Sequence, residues 1–269
     1  MTTLMRGIIV FALNLLCAMT WAACSRPIIV PAAPTGYSIR IVDNQVSGIY
    51  PELLRELGKK YGCQFVFPIV PRARAEAMVF NSGEGDLLLP VSRNSTRDQK
   101  GEFYYLTTIR PSLVFLKSKP IAATSLQAVQ ASVNLKGAFV RTYSYGDEYN
   151  HFLEVLKSQN RVTLVNDMDV VAKLINAQRA DFTVVAATIF ATELADNPDL
   201  ATLRDQIEFV GLSDIATIQN GVYLGKSLNA PDHALLLTML SEVHLQNLLR
   251  PLLEKYYSKE LIQATFVRN

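Results

Sequence analysis

The segment from residue 71 to residue 97, PRARAEAMVFNSGEGDLLLPVSRNSTR, constrains the fold more than any other part of the chain. Its first part predicts a helix, because Ala73, Ala77 and Phe80 recur at helical spacing and so share one face. The glycines that follow end this helix, since glycine accepts the left-handed backbone of helix ends. Residues 87–91, LLLPV, are few and wholly apolar, which predicts a strand covered on both faces.

A polar loop, SRNSTR, follows this strand at residues 92–97 and holds Arg93 and Arg97. In open α/β sheets, ligands bind just beyond the carboxyl ends of the strands. The planar guanidinium group of arginine matches the two oxygens of a carboxylate, and a closed cleft holds too little water to screen that pair. The loop is therefore the first candidate for a binding site.

Segments that predict strands and helices alternate along the rest of the chain, which indicates a parallel α/β architecture. The other predicted strands lie at residues 27–30, 64–68, 112–117, 137–141, 162–164, 181–186 and 218–224. Helices are predicted at residues 50–61, 148–156 and 169–178 and in the tail from residue 231 onward.

Composition excludes several classes of function. The 26 basic and 24 acidic residues leave a formal net charge of +2 without basic blocks, so nucleic acid is not a predicted partner. His151, His233 and His244 are scattered and no cysteine pair has zinc spacing, so no metal site is predicted. Neither a glycine-rich phosphate loop nor a Gly-x-Ser-x-Gly elbow occurs, so no cofactor or catalytic nucleophile is predicted.

The N-terminus predicts export to the periplasm. An apolar run at residues 7–19 and small residues at 20–23 are typical of a cleaved signal peptide, here residues 1–23. A retained membrane anchor is one alternative, although the run is shorter than the about 20 residues of a membrane span. Lipid anchoring through Cys24 is another, but Trp21 is a poor substitute for the leucine of a lipoprotein signal.

Five features around the opening segment recur together in one family. They are Arg74 in a helix, a Gly-Glu-Gly-Asp turn at 83–86, the apolar strand at 87–91, Ser-Thr-Arg at 95–97 and an aromatic run at 103–105. In this order and spacing they resemble the extracellular solute-binding proteins of the amino-acid type (family 3), the ligand-catching subunits of bacterial ABC importers. The resemblance covers nearly all of the chain that remains after signal cleavage.

This resemblance implies an α/β fold of two doubly wound lobes joined by two crossing hinge strands, the type II periplasmic binding fold. Lobe 1 would be discontinuous and comprise residues 24–111 and 223–269, and lobe 2 would comprise residues 112–222. Lobes connected in this way close on a ligand by hinge bending.

The resemblance also implies a function. A monomer would capture a small, amino-acid-like solute that bears a carboxylate and would deliver it to the membrane subunits of an ABC importer, with no catalysis and no cofactor. One alternative is an enzyme on the same scaffold, as in periplasmic cyclohexadienyl dehydratases, which needs a carboxylic acid of raised pKa in the cleft. The other is a ligand sensor for a different membrane partner.

Three arginines of lobe 1 are candidate ligand-binding residues through the resemblance. Arg97 is expected to pair with the carboxylate of the ligand, unless it only pairs with Asp98 or Glu102. Because the loop is one residue shorter than usual for the family, Arg93 is expected to share or exchange that role. Arg74 is expected on the helix that opens toward the cleft, with a position on the helix surface as the alternative.

In lobe 2, Arg141, Ser144 and Tyr145 belong to a turn that opens a helix. The family holds the ligand carboxylate at this turn, where backbone N–H groups and the helix N-terminus attract an anion. Ser144 is alternatively only an N-cap. Tyr143 and Tyr145 either stack on the ligand or pack inside the lobe. Tyr37, in a loop of lobe 1, is expected to stack on the ligand, with packing inside the protein as the alternative.

The chain departs from the family at the site for the ammonium group of the ligand. The family places an acidic residue just past the strand predicted at 181–186, but Ala186 and Ala187 stand there. An ammonium group without a counter-charge is costly in a dry cleft. Either another acid such as Glu52 or Asp147 holds it, or the ligand is not an ordinary amino acid.

Cys24 and Cys63 are predicted to form a disulfide bond. They precede the first and second predicted strands, which are neighbours in the doubly wound order and lie about 4.8 Å apart. An oxidising compartment favours the bond. It would be structural, because it lies at the sheet edge opposite the ligand loops. Lipidation of Cys24 is the competing outcome.

Overall fold

The computed structural model describes residues 23–267, so the predicted signal peptide lies, except for Ala23, outside the described residues. Within that range no helix is long and apolar enough to cross a membrane. The strands are β1 (Ile28–Ile29), β2 (Arg40–Val42), β3 (Gln45–Ser47), β4 (Phe65–Val66), β5 (Leu87–Ser92), β6 (Glu102–Ile109), β7 (Pro111–Leu116), β8 (Gly137–Val140), β9 (Val162–Val165), β10 (Phe182–Ala186), β11 (Ile207–Gly211), β12 (Ile218–Leu224) and β13 (Phe266–Val267).

The α-helices are α1 (Ile49–Tyr61), α2 (Arg72–Ala77), α3 (Ser95–Asp98), α4 (Leu126–Ala131), α5 (Asp147–Ser158), α6 (Met168–Asn176), α7 (Ala187–Asp196), α8 (Ala230–Leu245), α9 (Leu249–Tyr256) and α10 (Lys259–Thr265). A π-helical turn (Met78–Ser82) continues α2, and a 3-10 segment (Pro198–Gln206) follows α7. The predicted alternation of strands and helices is therefore present along most of the described chain.

The first lobe is built around a four-stranded sheet in the order β13-β6-β12-β5. The parallel pair β1-β4 continues it, because the Asp86 N–H just before β5 donates to the Ile29 carbonyl at 2.8 Å. β5 is buried along its whole length, as its apolar sequence predicted. The core of this lobe joins side chains of α1, α8 and β5, among them Leu53, Met239 and Leu87.

Strand β12 lies between β5 and β6 and is antiparallel to both. Its register shifts next to Gly221, where a Cβ atom would lie 2.0 Å from the Tyr104 carbonyl oxygen. Only glycine allows this close approach. Because β12 is continuous from Ile218, the chain re-enters the first-lobe sheet before the predicted lobe boundary between residues 222 and 223.

The second lobe contains a five-stranded sheet in the order β11-β7-β10-β8-β9. β8 pairs in parallel with β9 and β10, whereas β7 is antiparallel to β10 and β11. Its core includes Phe139, Phe182 and Phe190, and each of these side chains is almost completely buried. A parallel βαβ series with antiparallel strands added at one side is a common form of α/β sheet.

The chain crosses between the two sheets twice. Arg110 alone separates β6 from β7, and residues 212–217 separate β11 from β12. These crossings join two α/β lobes that have separate cores, so the predicted fold class is confirmed.

The structure contains the disulfide that was predicted between Cys24 and Cys63, with the two Cα atoms 4.9 Å apart. Cys24 precedes β1 and Cys63 precedes β4, and these strands are parallel neighbours with Ile28 opposite Phe65. The bond therefore ties the N-terminal segment to the first-lobe sheet.

Candidate ligand-binding site

A cavity of about 50 Å³ lies between the two lobes, beyond the carboxyl end of β5. This volume holds a few water molecules or a very small solute. Residues of both lobes line it: Thr35, Ser38, Tyr50, Arg72, Pro90, Val91, Ser92, Arg97, Ile109, Tyr143, Ser144, Tyr145, Ala186, Thr188, Ile189, Asn220, Thr265 and Phe266. The cavity therefore has the position predicted for a ligand at the end of a buried strand.

Arg97 reaches the cavity through the short helix α3. Asn94 caps this helix, and its side-chain oxygen accepts a hydrogen bond from the Arg97 N–H at 2.9 Å. Such a cap fixes the backbone at the start of a helix. The side chain of Arg97 is only 3% exposed and lines the cavity, so its predicted position in the cleft agrees with the structure.

The guanidinium group of Arg97 is held by both lobes. Its Nη2 and Nε atoms donate to the Glu76 carboxylate at 2.9 and 3.3 Å. Its Nη1 donates to the Ser92 carbonyl at 2.9 Å, and Nη2 also donates to the Thr142 carbonyl of the second lobe at 2.7 Å. The acidic partner is thus Glu76, and the alternative partners considered from the sequence, Asp98 and Glu102, are not involved.

Arg72 is a second buried arginine at the cavity, and the sequence analysis did not single it out. Its side chain is 6% exposed, and its Nη2 donates to the Pro90 carbonyl at 3.0 Å. Its Nε–H is buried without a hydrogen-bond partner. The guanidinium carbon lies 6.0 Å from the centre of the Tyr143 ring. Burial, together with the positive charge of Arg97, lowers the pKa of Arg72.

Arg74, which was predicted to face the cleft, does not line the cavity. Its side chain is 50% exposed and pairs with Glu84 at the surface. The reason is the orientation of α2: Arg72 and Ala75 are its buried residues, and Val79 of the following π-helical turn is buried as well. The expected face of Ala73, Ala77 and Phe80 was therefore wrong. The spacing of Arg72, Ala75 and Val79 is the signal that could have identified Arg72.

Arg93, Arg141 and Tyr37 also lie outside the cavity lining. Arg93 is half exposed and donates to Asp98 and Gln219. Arg141 is exposed.

Tyr37 packs between Tyr256 and Tyr257, with ring centres 5.7 and 5.6 Å away. Its hydroxyl donates to Asp196 of the second lobe at 3.2 Å. Tyr37 thus packs against other aromatic rings and does not line the cavity, so the predicted stacking role does not match this position.

Ser144 and Tyr145 line the cavity from the second lobe, as predicted. The Ser144 hydroxyl accepts from the Asn94 side chain at 3.1 Å and donates to the Asn150 side chain at 2.8 Å. Ser144 is not the N-cap of α5, because Gly146 holds that position with a φ angle of 93°. The Tyr145 hydroxyl accepts from the Ala186 N–H at 3.2 Å, and burial raises the pKa of Tyr145, which keeps the phenol neutral.

No carboxylate lines the cavity in the part of the chain that the structure describes. Ala186 and Thr188 occupy the wall where the family places an acid. Glu52 pairs with Lys255 and Tyr256, and Asp147 accepts a hydrogen bond from Ser95 at 3.1 Å. Neither acid that was suggested as a substitute therefore contributes to the cavity. Residues 23–267 also contain no group of histidine, cysteine and acidic side chains that could hold a metal ion.

Polar contacts hold the two lobes together around the cavity. The contacting pairs are Arg97 with Thr142, Asn94 with Ser144, Ser95 with Asp147, Tyr37 with Asp196, and Arg40 with Asp196. The two lobes are thus in direct contact around the cavity.

Two lobes with separate sheets, two crossing segments and a cavity between them define a type II periplasmic-binding-protein fold. Comparison with solved structures gives the same class. A histidine kinase sensor domain with similarity to periplasmic binding proteins superposes with a TM-score of 0.71 at 17% identity, covering 87% of this chain and 96% of that one. The substrate-binding protein of an amino acid ABC transporter gives 0.67 at 14% identity, covering 86% and 99%.

A third neighbour is an ancestral amino acid-binding protein described as a precursor of cyclohexadienyl dehydratase. It superposes with a TM-score of 0.64 at 15% identity, covering 86% of this chain and 96% of that one. By sequence, no protein-family model matches the chain. None of the curated proteins is significantly similar to it. At such low identities the likeness establishes the fold alone.

Proposed function

We propose that the protein is an extracellular solute-binding protein that captures a small, carboxylate-bearing solute between its lobes. The observation that carries this proposal is the pair of buried guanidinium groups, Arg72 and Arg97, at one closed cavity. A buried cation needs an anion or several hydrogen bonds to offset its lost hydration. A ligand carboxylate would supply both, because it accepts two parallel hydrogen bonds from a guanidinium group.

In this proposal the lobes separate to admit the ligand and then close over it. The limits of the lobes would be near those predicted from the sequence. The cavity is enclosed by contacts such as Arg97 with Thr142 and Asn94 with Ser144, so entry requires that these contacts break. The short crossings at Arg110 and at residues 212–217 would act as the hinge. The ligand stabilises the closed form because it contacts both walls at once.

The partners follow from the same proposal. The protein would act in the periplasm, reached by a cleaved signal peptide, and would present its closed form to the membrane subunits of an ABC importer. The structural likeness to an ABC transporter substrate-binding protein supports this role. The likeness to a histidine kinase sensor domain supports a second candidate, a sensor whose closed form is read by another membrane protein.

We propose binding without covalent chemistry. An elimination of the dehydratase kind needs a carboxylic acid beside the substrate, and the described lining of the cavity offers hydroxyl and guanidinium groups instead. The structurally similar precursor of cyclohexadienyl dehydratase is itself described as an amino acid-binding protein.

A ligand screen tests the proposed function. The exported protein is heated with a broad panel of amino acids, organic acids, sugars, polyamines and short peptides, and its melting temperature is recorded. A solute present at 100 times its dissociation constant should add about 2.7 kcal/mol of stability. Small-angle scattering should then show a smaller radius of gyration with that solute. A panel without any stabilising solute would contradict the proposal.

A further inference from the structure

The charge on the cavity wall is unbalanced. Arg72 and Arg97 both line the cavity, and the described lining residues include no carboxylate. Glu76, behind the wall, directs both of its oxygens to Arg97. The hydrogen bond of Arg72 goes instead to the neutral carbonyl of Pro90. The wall therefore presents one positive charge, that of Arg72, that no directly bonded carboxylate compensates.

Arg72 also has an unused hydrogen-bond donor. Its Nε–H is buried and has no acceptor. A buried donor without an acceptor is costly, and the few such groups in folded proteins call for an explanation. Arg72 is 6% exposed and lines the cavity, so a molecule inside the cavity is a candidate source of the acceptor for this donor. A carboxylate would provide the acceptor and the missing negative charge together.

An ammonium group has no comparable place in the cavity. It would share a volume of about 50 Å³ with two guanidinium groups of the same charge. Two neutral oxygens of the second-lobe wall already have hydrogen-bond partners, since the Ser144 hydroxyl donates to Asn150 and the Tyr145 hydroxyl accepts from Ala186. A cation in a closed cavity needs a nearby anion to offset its lost hydration.

We infer that the cavity selects small organic acids that carry a carboxylate and lack an amino group. This inference rests on the proposed function and narrows its ligand class from carboxylate-bearing solutes in general to acids without an ammonium group. Arg72 determines the selectivity in this scheme: its charge and its free Nε–H favour the carboxylate, and its charge repels the ammonium group.

The test uses pairs of compounds that differ only by an α-amino group: acetate and glycine, propionate and alanine, and succinate and aspartate. Thermal shift and isothermal titration are measured at pH 7, with all ligands as sodium salts or zwitterions and with the ionic strength held constant by sodium chloride. The acid of at least one pair should bind at least tenfold more tightly than its amino counterpart. Equal affinity within every pair, or tighter binding of the amino acids, overturns the inference and leaves solute binding intact.

Absence of binding by all six compounds also overturns the inference, and the broad panel described above then decides separately whether the protein binds solutes at all. Failure of the selectivity inference is therefore distinguishable from failure of the proposed solute-binding function.

Substitutions test the assignment to Arg72. Arg72→Met keeps most of the side-chain volume and should weaken binding of the preferred acid at least tenfold. Arg74→Met is the matched control on the same helix, because Arg74 is exposed and pairs with Glu84. The affinity of this variant for the preferred acid should stay within twofold of the wild-type value. Unchanged affinity in a folded Arg72→Met protein overturns the role of Arg72.

A gain-of-function variant keeps the test decisive if Arg72→Met does not fold. Thr188 lines the cavity near the N-terminus of α7, where an added carboxylate is favoured by the helix dipole. Thr188→Asp should raise the affinity for the amino member of the pair relative to the acid. An unchanged preference in this variant would contradict the charge argument.

Discussion

The two walls of the cleft differ in charge. The wall from the first lobe carries Arg72 and Arg97, which are both buried. The wall from the second lobe carries the neutral groups of Tyr143, Ser144 and Tyr145. If the proposed function is correct, the difference teaches how such a cleft divides its work: the first lobe would hold the charge of the ligand, and the second would cover the ligand and exclude water.

The two lobes also differ in how they are held together. The first lobe is assembled from the two ends of the described chain and carries the Cys24–Cys63 disulfide. The second lobe is one continuous segment whose core contains Phe139, Phe182 and other large side chains. A covalent bond therefore reinforces the lobe whose strands come from distant parts of the sequence.

The largest expected effect comes from removing the disulfide. The bond spans 39 residues, and a loop of this length gives about 4 kcal/mol in the chain-entropy model. Replacing both Cys24 and Cys63 with serine should lower the free energy of unfolding by about this amount, measured by urea denaturation. The loss should be confined to the first lobe, so hydrogen exchange in β8 and β10 should change little. An equal loss of protection in both lobes would contradict the contrast between them.

The next effect concerns the two cleft walls. Arg97→Met should cost about 3 kcal/mol of binding free energy, because it removes a buried charged donor from the ligand. Ser144→Ala, on the opposite wall, should cost about 1 kcal/mol, because it removes the neutral hydrogen bond that Asn94 donates to Ser144 across the closed cleft. Titration calorimetry with the tightest acid of the panel measures both. Equal losses of binding free energy in the two variants would mean that the charge is not concentrated on the first lobe. Arg93→Gln is the control, because Arg93 lies outside the cavity lining.

A smaller effect is expected for the contacts that close the cleft. Asp196 of the second lobe accepts hydrogen bonds from Tyr37 and Arg40 of the first. Asp196→Asn should weaken closure by about 1 kcal/mol, since these groups are partly exposed. The radius of gyration with subsaturating ligand should rise, and the effect should shrink at high salt. Asp169→Asn, whose partner Lys173 lies on the same helix, is the control.

The smallest effect is a dependence on pH within the second lobe. Burial raises the pKa of Glu193 to about 7. The negative charges of Asp169, Asp196 and Asp167 reinforce this shift, and the positive charge of Lys173 opposes it. The folded state therefore binds this proton more tightly than the unfolded state does. Its contribution to stability is present below pH 4.5 and is lost as the pH rises through about 7.

Because Glu193 is partly exposed, this contribution is only on the order of 0.5 kcal/mol. Urea denaturation at pH 5 and pH 8 should show a smaller difference for Glu193→Gln than for the wild type. Glu154→Gln, at an exposed position beside Lys157, should keep the wild-type difference. An identical difference in Glu193→Gln would exclude Glu193 as the titrating group.

Much of the fold was predictable because the central strands are rich in apolar residues, and β5, β7 and β10 are buried along their whole length. The structure places β5, β7, β10 and β12 within a residue of the predicted limits. β6 was missed as a strand, since its residues are mostly half-buried and its aromatic and threonine side chains show no clear alternation. Helix α7 was also missed, although Ala187, Phe190 and Leu194 recur at helical spacing along its buried face.

The site was predictable only where it depends on local sequence. The loop after β5 was identified correctly, because a buried strand followed by arginines is a local pattern. Arg72 was missed because the spacing of Ala73, Ala77 and Phe80 suggested the wrong face of a short helix. The environment of Tyr37 could not be predicted from the local sequence. Its ring contacts Tyr256 and Tyr257, which lie more than two hundred residues away in the chain.

The discontinuous first lobe has a consequence for the order of events during synthesis. Strand β12 lies between β5 and β6, so this sheet cannot be completed until residues 218–224 have been synthesised. The second lobe, from β7 to β11, has all of its strands earlier. We expect the later-starting lobe to finish folding first, while β5 and β6 remain unpaired until β12 inserts between them.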